Sequence, residues 1–242
     1  MQIKVIKSGS KGNCYLINNE YNETLVVEAG VSFSELESNM GFDIGSIVGC
    51  VVTHEHKDHS KYAYDYAKKM IDVYASKGTF SCICRTSPFF HKMTANNKYS
   101  IGHFVVITYK SIHDAKEPLM FVIRCGGKNI LFATDTCMIP YKFKGLCMAM
   151  VECNHDAETL SANYDKNADL RPLYERISNN HLDYDTCIEA IRFMALNGLK
   201  KVLLLHKSRK NSGFDYAKSM SAELKEYGLD IKEANKDFVC EI

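Results

Sequence analysis

The chain has 242 residues, 46% of them hydrophobic, with a formal net charge of +1 and a pI near 7.5. That is ample for a sizeable core, and the near-zero charge gives no chain-wide electrostatic footprint for gripping a long nucleic acid. No apolar run reaches membrane-spanning length, and no low-complexity stretch, repeat or Pro/Gly-rich linker divides residues 1–242, so one domain is expected.

The first third reads strand, turn, strand, strand: Ile3 to Ile6, Gly9-Ser10-Lys11-Gly12-Asn13, Cys14 to Ile17, and Thr24 to Val27. Ser32 or Ser34 can cap a short helix running to Met40. A near-continuous apolar strand at 47–52 leads into His54-Glu55-His56-Lys57-Asp58-His59, and a helix is expected over about 61–70. Strands follow around 104–109, 119–124 and 128–133, the last two joined by a Gly126-Gly127 hairpin turn. A further apolar segment, Leu146 to Val151, precedes Glu152. The final third holds helices near 170–178, 184–197 and 215–227, with a strand at 201–205. Strands interleaved with helices in this way suit two packed sheets with helices outside.

Ten cysteines, at 14, 50, 82, 84, 125, 137, 147, 153, 187 and 240, lie mostly in apolar segments, where a thiol acts as a small hydrophobe. Cys82-Ile83-Cys84 lacks the C-x-x-C spacing of zinc and redox sites, and residues 1–5 show no signal-peptide core. A reduced, cytoplasmic protein with no thiolate metal site and no membrane association is therefore expected.

The run from His54 to His59 carries the chemistry. On an extended chain His54 and His56 point the same way and can close on one metal ion, with Asp58 and His59 facing a second. Imidazole with carboxylate suits Zn, Mn or Fe. This H-x-H-x-D-H pattern at the end of a strand resembles the metallo-β-lactamase superfamily. The resemblance implies an αββα sandwich and three more ligands: His113 for the first ion, His206 for the second, and Asp135 bridging both. Each follows an apolar strand in the expected order. Two divalent ions are thus expected, Zn first and Mn as the alternative. Water bound to such ions loses its proton near neutral pH and becomes a nucleophile, which Asp58 can orient. Diiron oxygen reductases of similar fold usually carry Glu where His56 stands, which favours hydrolysis.

Ser8-Gly9-Ser10-Lys11-Gly12-Asn13, His113-Asp114-Ala115, Ala133-Thr134-Asp135-Thr136 and Glu152-x-Asn154-His155-Asp156 look like the WalJ (YycJ) group of nucleases. Asn180-His181-Leu182 and His206-x-Ser208-Arg209 are similar to ribonuclease Z, where the histidine like His181 contacts the scissile phosphate and assists the leaving group. Asp183 can cap the following helix, which places His181 near a helix N-terminus where phosphate binds readily. Ser208 and Arg209 are the expected substrate-binding residues, Arg209 forking donors onto phosphate oxygens, and Lys207, Arg209 and Lys210 form the best local basic group. Three departures stand out: Glu28 where the superfamily has Asp, Asp183 where WalJ-like chains have Ser, and a chain short for that group. The phage anti-Pycsar phosphodiesterases are also similar. The expected function is a dinuclear phosphodiesterase, leaning to 3′,5′-cyclic mononucleotides because the neutral charge offers no track for a polyanion; the alternative is a WalJ-like DNA exonuclease. Thioester or lactam hydrolysis and a non-catalytic binding role compete less well. The relatives imply a homodimer acting in the cytoplasm, that of the host if the chain is phage-encoded.

Overall fold

The computed structural model describes residues 1–41, 43–165, 169 and 171–242. They fall into two compact units: residues 1–110, 115–128 and 235–242, and residues 111–114 and 129–234.

In the first unit, short apolar segments pair as their patterning dictates. β1 (Gln2–Lys7), β2 (Cys14–Asn18) and β3 (Thr24–Val27) run antiparallel, and β4 (Ile47–Val51) joins β3 in parallel. Ser32 caps α1 (Phe33–Asn39), its hydroxyl accepting from Glu35 N–H at 3.2 Å. The helix expected over 61–70 begins earlier and in two pieces, α2 (Lys57–Ser60) and α3 (Ala63–Lys68). The reason lies in the histidine motif. His56 is extended and its carbonyl accepts from His59 and Ser60 N–H, both at 2.9 Å, so a helical turn starts inside the motif. Tyr62 N–H then turns aside to Ala29 O at 3.0 Å and separates the two pieces.

β5 (Val73–Ser76), α4 (Lys77–Ile83), β6 (Phe90–Met93) and β7 (Lys98–Ile101) were not expected from the sequence. The three strands are four residues each and carry His91, Lys92, Lys98 and Ser100 among their apolar positions, too short and polar to show a clear period. β5 and β6 continue the first sheet in parallel. β7, β8 (Phe104–Lys110) and β9 (Leu119–Cys125) form an antiparallel meander. Gly126 and Gly127 follow with φ of 54° and 73°, the pair of positive values that a two-residue type I′ turn requires. A core of Leu16, Val26, Leu36, Val52, Tyr66 and Val73 fills this unit.

In the second unit β10 (Lys128–Ala133), β11 (Met148–Glu152), α5 (Ala157–Asp165), α6 (Arg171–Asn180), α7 (Tyr184–Leu196), β12 (Lys201–Leu205), α8 (Tyr216–Glu223) and β13 (Asp230–Glu233) follow in order. Leu170, the first residue of one expected helix, lies outside the described residues. The four strands are parallel; helices cross over between β11 and β12 and between β12 and β13, whereas residues 134–147 link β10 to β11 without a helix. On α7 the buried side chains Cys187, Ile188, Ile191, Met194 and Ala195 recur at helical spacing, and Asp183 caps its start through Thr186 N–H at 3.0 Å. The last strand, β14 (Val239–Glu241), pairs antiparallel with β1. The result is two seven-stranded mixed sheets flanked by helices.

Asp156 pins the start of α5 to the loop before α8. Its Oδ1 accepts from Thr159 N–H at 2.8 Å, and its Oδ2 accepts from Gly213 N–H at 2.7 Å and the Tyr216 hydroxyl at 3.0 Å. Burial works against its charge, but these donors outweigh it and hold the carboxyl below its ordinary 3.8. The folded value is the depressed one, so the stabilisation is complete above the unfolded pKa and is lost as pH falls through the folded value. Asp156→Asn is expected to lower stability by about 1–3 kcal/mol at pH 7. The deficit should shrink below about pH 4. Urea unfolding at pH 7 and pH 3 checks this; a deficit independent of pH would show that the charge contributes nothing.

Candidate active site

In the first unit one group of candidate side chains gathers at the carboxyl ends of β3 and β4, whose register pairs Val27 with Val51. Glu28 follows β3, fully buried and with φ of 71°, a left-handed conformation that a non-glycine residue keeps only where its surroundings hold it. Glu28 Oε1 accepts from the Thr53 hydroxyl at 2.5 Å and lies 3.3 Å from His59 Nδ1. Burial pushes the Glu28 carboxyl above its ordinary range, with His59 and Thr53 opposing. Because Thr53 Oγ1 donates to Glu28, it accepts from His54 Nδ1–H at 2.9 Å. Glu28 therefore orients His59 directly and His54 through Thr53, and its extra methylene over Asp does not remove that support. The rings of His54 and His56 lie 4.6 Å apart and those of His54 and His59 4.3 Å apart. Asp58 Oδ2 stands 3.3 Å from His59 Nε2.

Asn13, at the end of the Gly9–Asn13 turn, holds this motif from below. Its Nδ2 lies 3.1 Å from His59 Nε2 and 3.4 Å from Asp58 Oδ2, and its N–H donates to Asp58 O at 2.7 Å. Gly30 N–H donates to Asn13 O at 3.0 Å, and a Cβ at Gly30 would collide with Asp58 O and Asn13 N. Gly30→Ala is accordingly expected to push the histidine motif off its seat and to destabilise the protein by about 1–3 kcal/mol. Thermal unfolding together with elemental analysis checks this; unchanged melting and full metal would show that the turn gives way freely.

In the second unit another group gathers at the carboxyl ends of β10, β11 and β12. Ala133 is in register with Val151, and Glu152 with Leu205, so Asp135, Glu152 and His206 emerge side by side. Such strand ends are where parallel sheets place ligands. Asp135 and His206 both have left-handed φ, 48° and 49°. Oxygen or nitrogen atoms of Asp135, Glu152, His181 and His206 lie within 4.8 Å of one another. Glu152 is the hub: buried completely, its Oε1 accepts from His181 Nδ1 at 2.7 Å and His206 Nδ1 at 2.9 Å, and its Oε2 from Thr136 N–H at 3.3 Å. Burial opposes its ionisation, but the His181 charge and the hydrogen bonds from both rings prevail and hold its pKa at about 2. For His181, burial opposes protonation, yet the charge and hydrogen bond of Glu152 raise its pKa above the ordinary value. His113 Nδ1 donates to Asn180 O at 3.0 Å, with its Nε2 3.7 Å from Asp135 Oδ2.

His54, His59, His113, His181 and His206 thus all turn Nδ1 toward an oxygen acceptor or carboxylate, while Nε2 of His59 lies 3.1 Å from Asn13 Nδ2 and Nε2 of His113 3.3 Å from Asp114 Oδ1. An outer partner on one ring nitrogen is the usual arrangement of metal-binding histidines, so these side chains fit divalent transition-metal ions.

Sequence reasoning left Glu152, Asn13 and Thr53 out of the site. Glu152 had a signal: a carboxylate closing the apolar strand Met148–Val151 must have buried partners. Lys207 Nζ binds Glu233 Oε1 at 2.7 Å and Phe214 O at 3.0 Å, and lies over the Tyr216 ring at 4.5 Å. Ser208 shapes a turn, its N–H donating to Asn154 O at 2.8 Å and its hydroxyl accepting from Asn211 N–H at 3.3 Å, while Arg209 is exposed on that turn.

No protein-family model matches the chain. The exodeoxyribonuclease YycJ of Bacillus anthracis is 26% identical over 248 residues, spanning 97% of this chain and 93% of that protein. The metallo-β-lactamase fold protein YhfI of Bacillus subtilis superposes with a TM-score of 0.74 at 15% identity, covering 100% of this chain and 98% of that one. The short form of human tRNase Z gives 0.68 at 14% identity, covering 100% and 99%. The fold is therefore the αββα metallo-β-lactamase sandwich.

Proposed function

We propose that this chain, a metal-dependent hydrolase of the metallo-β-lactamase superfamily, cleaves phosphodiester bonds of nucleotide substrates. In this reading His54, His56 and His113 hold one divalent ion, Asp58, His59 and His206 hold a second, and Asp135 is shared. Zinc is favoured, with manganese as the alternative, because the donors are imidazoles and carboxylates. When bound, such ions acidify water and stabilise charge on an attacked phosphate.

The observation that carries the reading is the Glu152–His181 pair. Glu152 accepts from Nδ1–H of His181 and its charge favours the doubly protonated ring, whose Nε2–H is the proton that a departing alkoxide needs. Phosphodiesters have such leaving groups. Asp58, beside His59, would orient the attacking water in this reading.

Within this class, the likeness to YycJ along nearly its whole length supports a DNA end as the substrate. A 3′,5′-cyclic mononucleotide is the second reading, favoured by the net charge of +1. Incubating the metal-loaded protein with end-labelled DNA and a panel of cyclic nucleotides tests both. Cleavage of neither, with full metal content, would overturn the phosphodiesterase proposal. Cleavage of a long polyanion should also weaken steeply with salt, whereas opening of a cyclic nucleotide should not.

No helix among the described residues is long and apolar enough to cross a membrane. All ten cysteines are free thiols, which supports the proposed cytoplasmic setting. The homodimer implied by the resemblance belongs to the same proposal, and sedimentation of the purified protein tests it.

A further inference from the structure

We infer that the lysine- and aromatic-rich face of α2 and α3 is a docking surface for a single-stranded nucleic acid, an inference that rests on the nuclease reading above. The face lies wholly in the first unit and begins at the histidine motif, since α2 starts directly after His56. Lys57, Lys61, Lys68 and Lys69 are exposed along it, interleaved with the half-buried rings of Tyr62 and Tyr64. Cations lie over rings repeatedly: Lys61 over Tyr62 at 4.9 Å, Lys69 over Phe33 at 5.3 Å, and both Lys68 and Arg85 over Tyr64, at 5.4 and 4.7 Å.

Beside these residues is a cavity of about 380 Å³ lined by Phe33, Tyr62, Asp65, Lys68 and Lys69 with Ser32 and Ser34. The acids here are few. Asp58 on α2 turns to His59, Asp65 is taken by Lys68 at 2.6 Å, and Glu35 and Glu37 sit on α1, which leaves Lys57, Lys61, Lys69 and Arg85 as a cationic excess. Positive charge alone would suit any polyanion. Rings interleaved with lysines favour a strand whose bases stack while its phosphates meet the cations, and this arrangement is indifferent to sequence. A local face of this kind is compatible with a net charge of +1. It would seat a strand along α2 and α3 with one end at the histidine motif.

The test is steady-state kinetics of the metal-loaded protein on single-stranded oligothymidylate and on bis(4-nitrophenyl) phosphate, comparing wild type with Lys61→Glu/Lys69→Glu. The expected result is a KM for the oligonucleotide raised at least tenfold with kcat within about twofold, and an unchanged rate on the small diester. The slope of log(kcat/KM) against log salt should fall by about 1.4, the value for two lost phosphate contacts on a single strand. Tyr62→Ala should raise KM by about tenfold for a base stack lost. The unchanged small-diester rate reports that each variant is folded. If wild type degrades the oligonucleotide and the lysine variant matches its KM and salt slope, the docking face is wrong while the nuclease reading stands. If wild type opens cyclic nucleotides and leaves strands intact, the nuclease reading falls and the docking face with it. A concentration-dependent dimer abolished by the lysine variant, with KM unchanged, would assign the face to a second copy and likewise overturn the inference.

Discussion

Asp135→Ala is expected to be the most damaging single substitution in the chain, removing measurable activity and at least one ion's worth of metal. Asp135 is buried with 3% of its surface exposed, and its carboxylate stands 3.2 Å from His206 Nδ1 and 3.7 Å from His113 Nε2. In the proposed ligand set it is the one side chain common to both ions. The Thr134 hydroxyl donates to its Oδ1 at 2.7 Å, and Ser111 Oγ donates to its carbonyl at 3.1 Å, so its position is fixed from both ends. Loss of an outer partner typically lowers metal affinity by about 10–100-fold. Thr134→Ala should fall in that range, and Asp135→Ala should exceed it. Elemental analysis of protein prepared without chelator, beside turnover of bis(4-nitrophenyl) phosphate, checks both. An Asp135→Ala protein that keeps two ions would remove Asp135 from the shared position.

The histidine motif was legible because metal ligation demands particular residue types at fixed spacing just after an apolar strand. His113, Asp135 and His206 were legible for a related reason, since each follows a strand that the sequence marks as apolar. What stayed hidden was the support. Thr53 looks like any β-branched residue beside a strand, and only the fold shows its hydroxyl linking His54 to Glu28. Asn13 sits 45 residues from Asp58 in the chain, and no local pattern reveals that its amide reaches that carboxylate. Glu152 was visible as a motif residue, but its hold on two histidines depends on β11 lying in parallel register beside β12. The start of α2 was missed because a run of ligands masks helical periodicity: Lys57, Asp58 and His59 show no apolar face. The lysine–aromatic face was invisible for another reason, since a net charge averages over the very unevenness that would make it a binding surface.

His181→Ala is expected to separate chemistry from metal binding. His181 follows α6, its N–H donating to Ile177 O at 3.0 Å, and its side chain keeps 18% of its surface exposed, enough to meet a substrate. Glu152 takes Nδ1–H, which fixes the ring orientation, and its charge favours the imidazolium, which carries the transferable proton on Nε2. None of the proposed ligand roles falls on His181, so its removal should leave both ions in place. Turnover of an ordinary phosphodiester should fall by about 10²–10⁴-fold, the range for a positioned proton donor. A 4-nitrophenyl ester, whose leaving group departs without protonation, should lose far less, and the ratio of the two losses is the decisive readout. Glu152→Gln supplies an internal comparison, because it keeps an acceptor of similar shape but removes the charge that orients both His181 and His206. It should impair both substrates and weaken metal binding as well. Equal losses on activated and unactivated diesters in His181→Ala would mean that the ring positions substrate without delivering a proton. Loss of an ion in that variant would make His181 a ligand and break the division of labour proposed for Glu152.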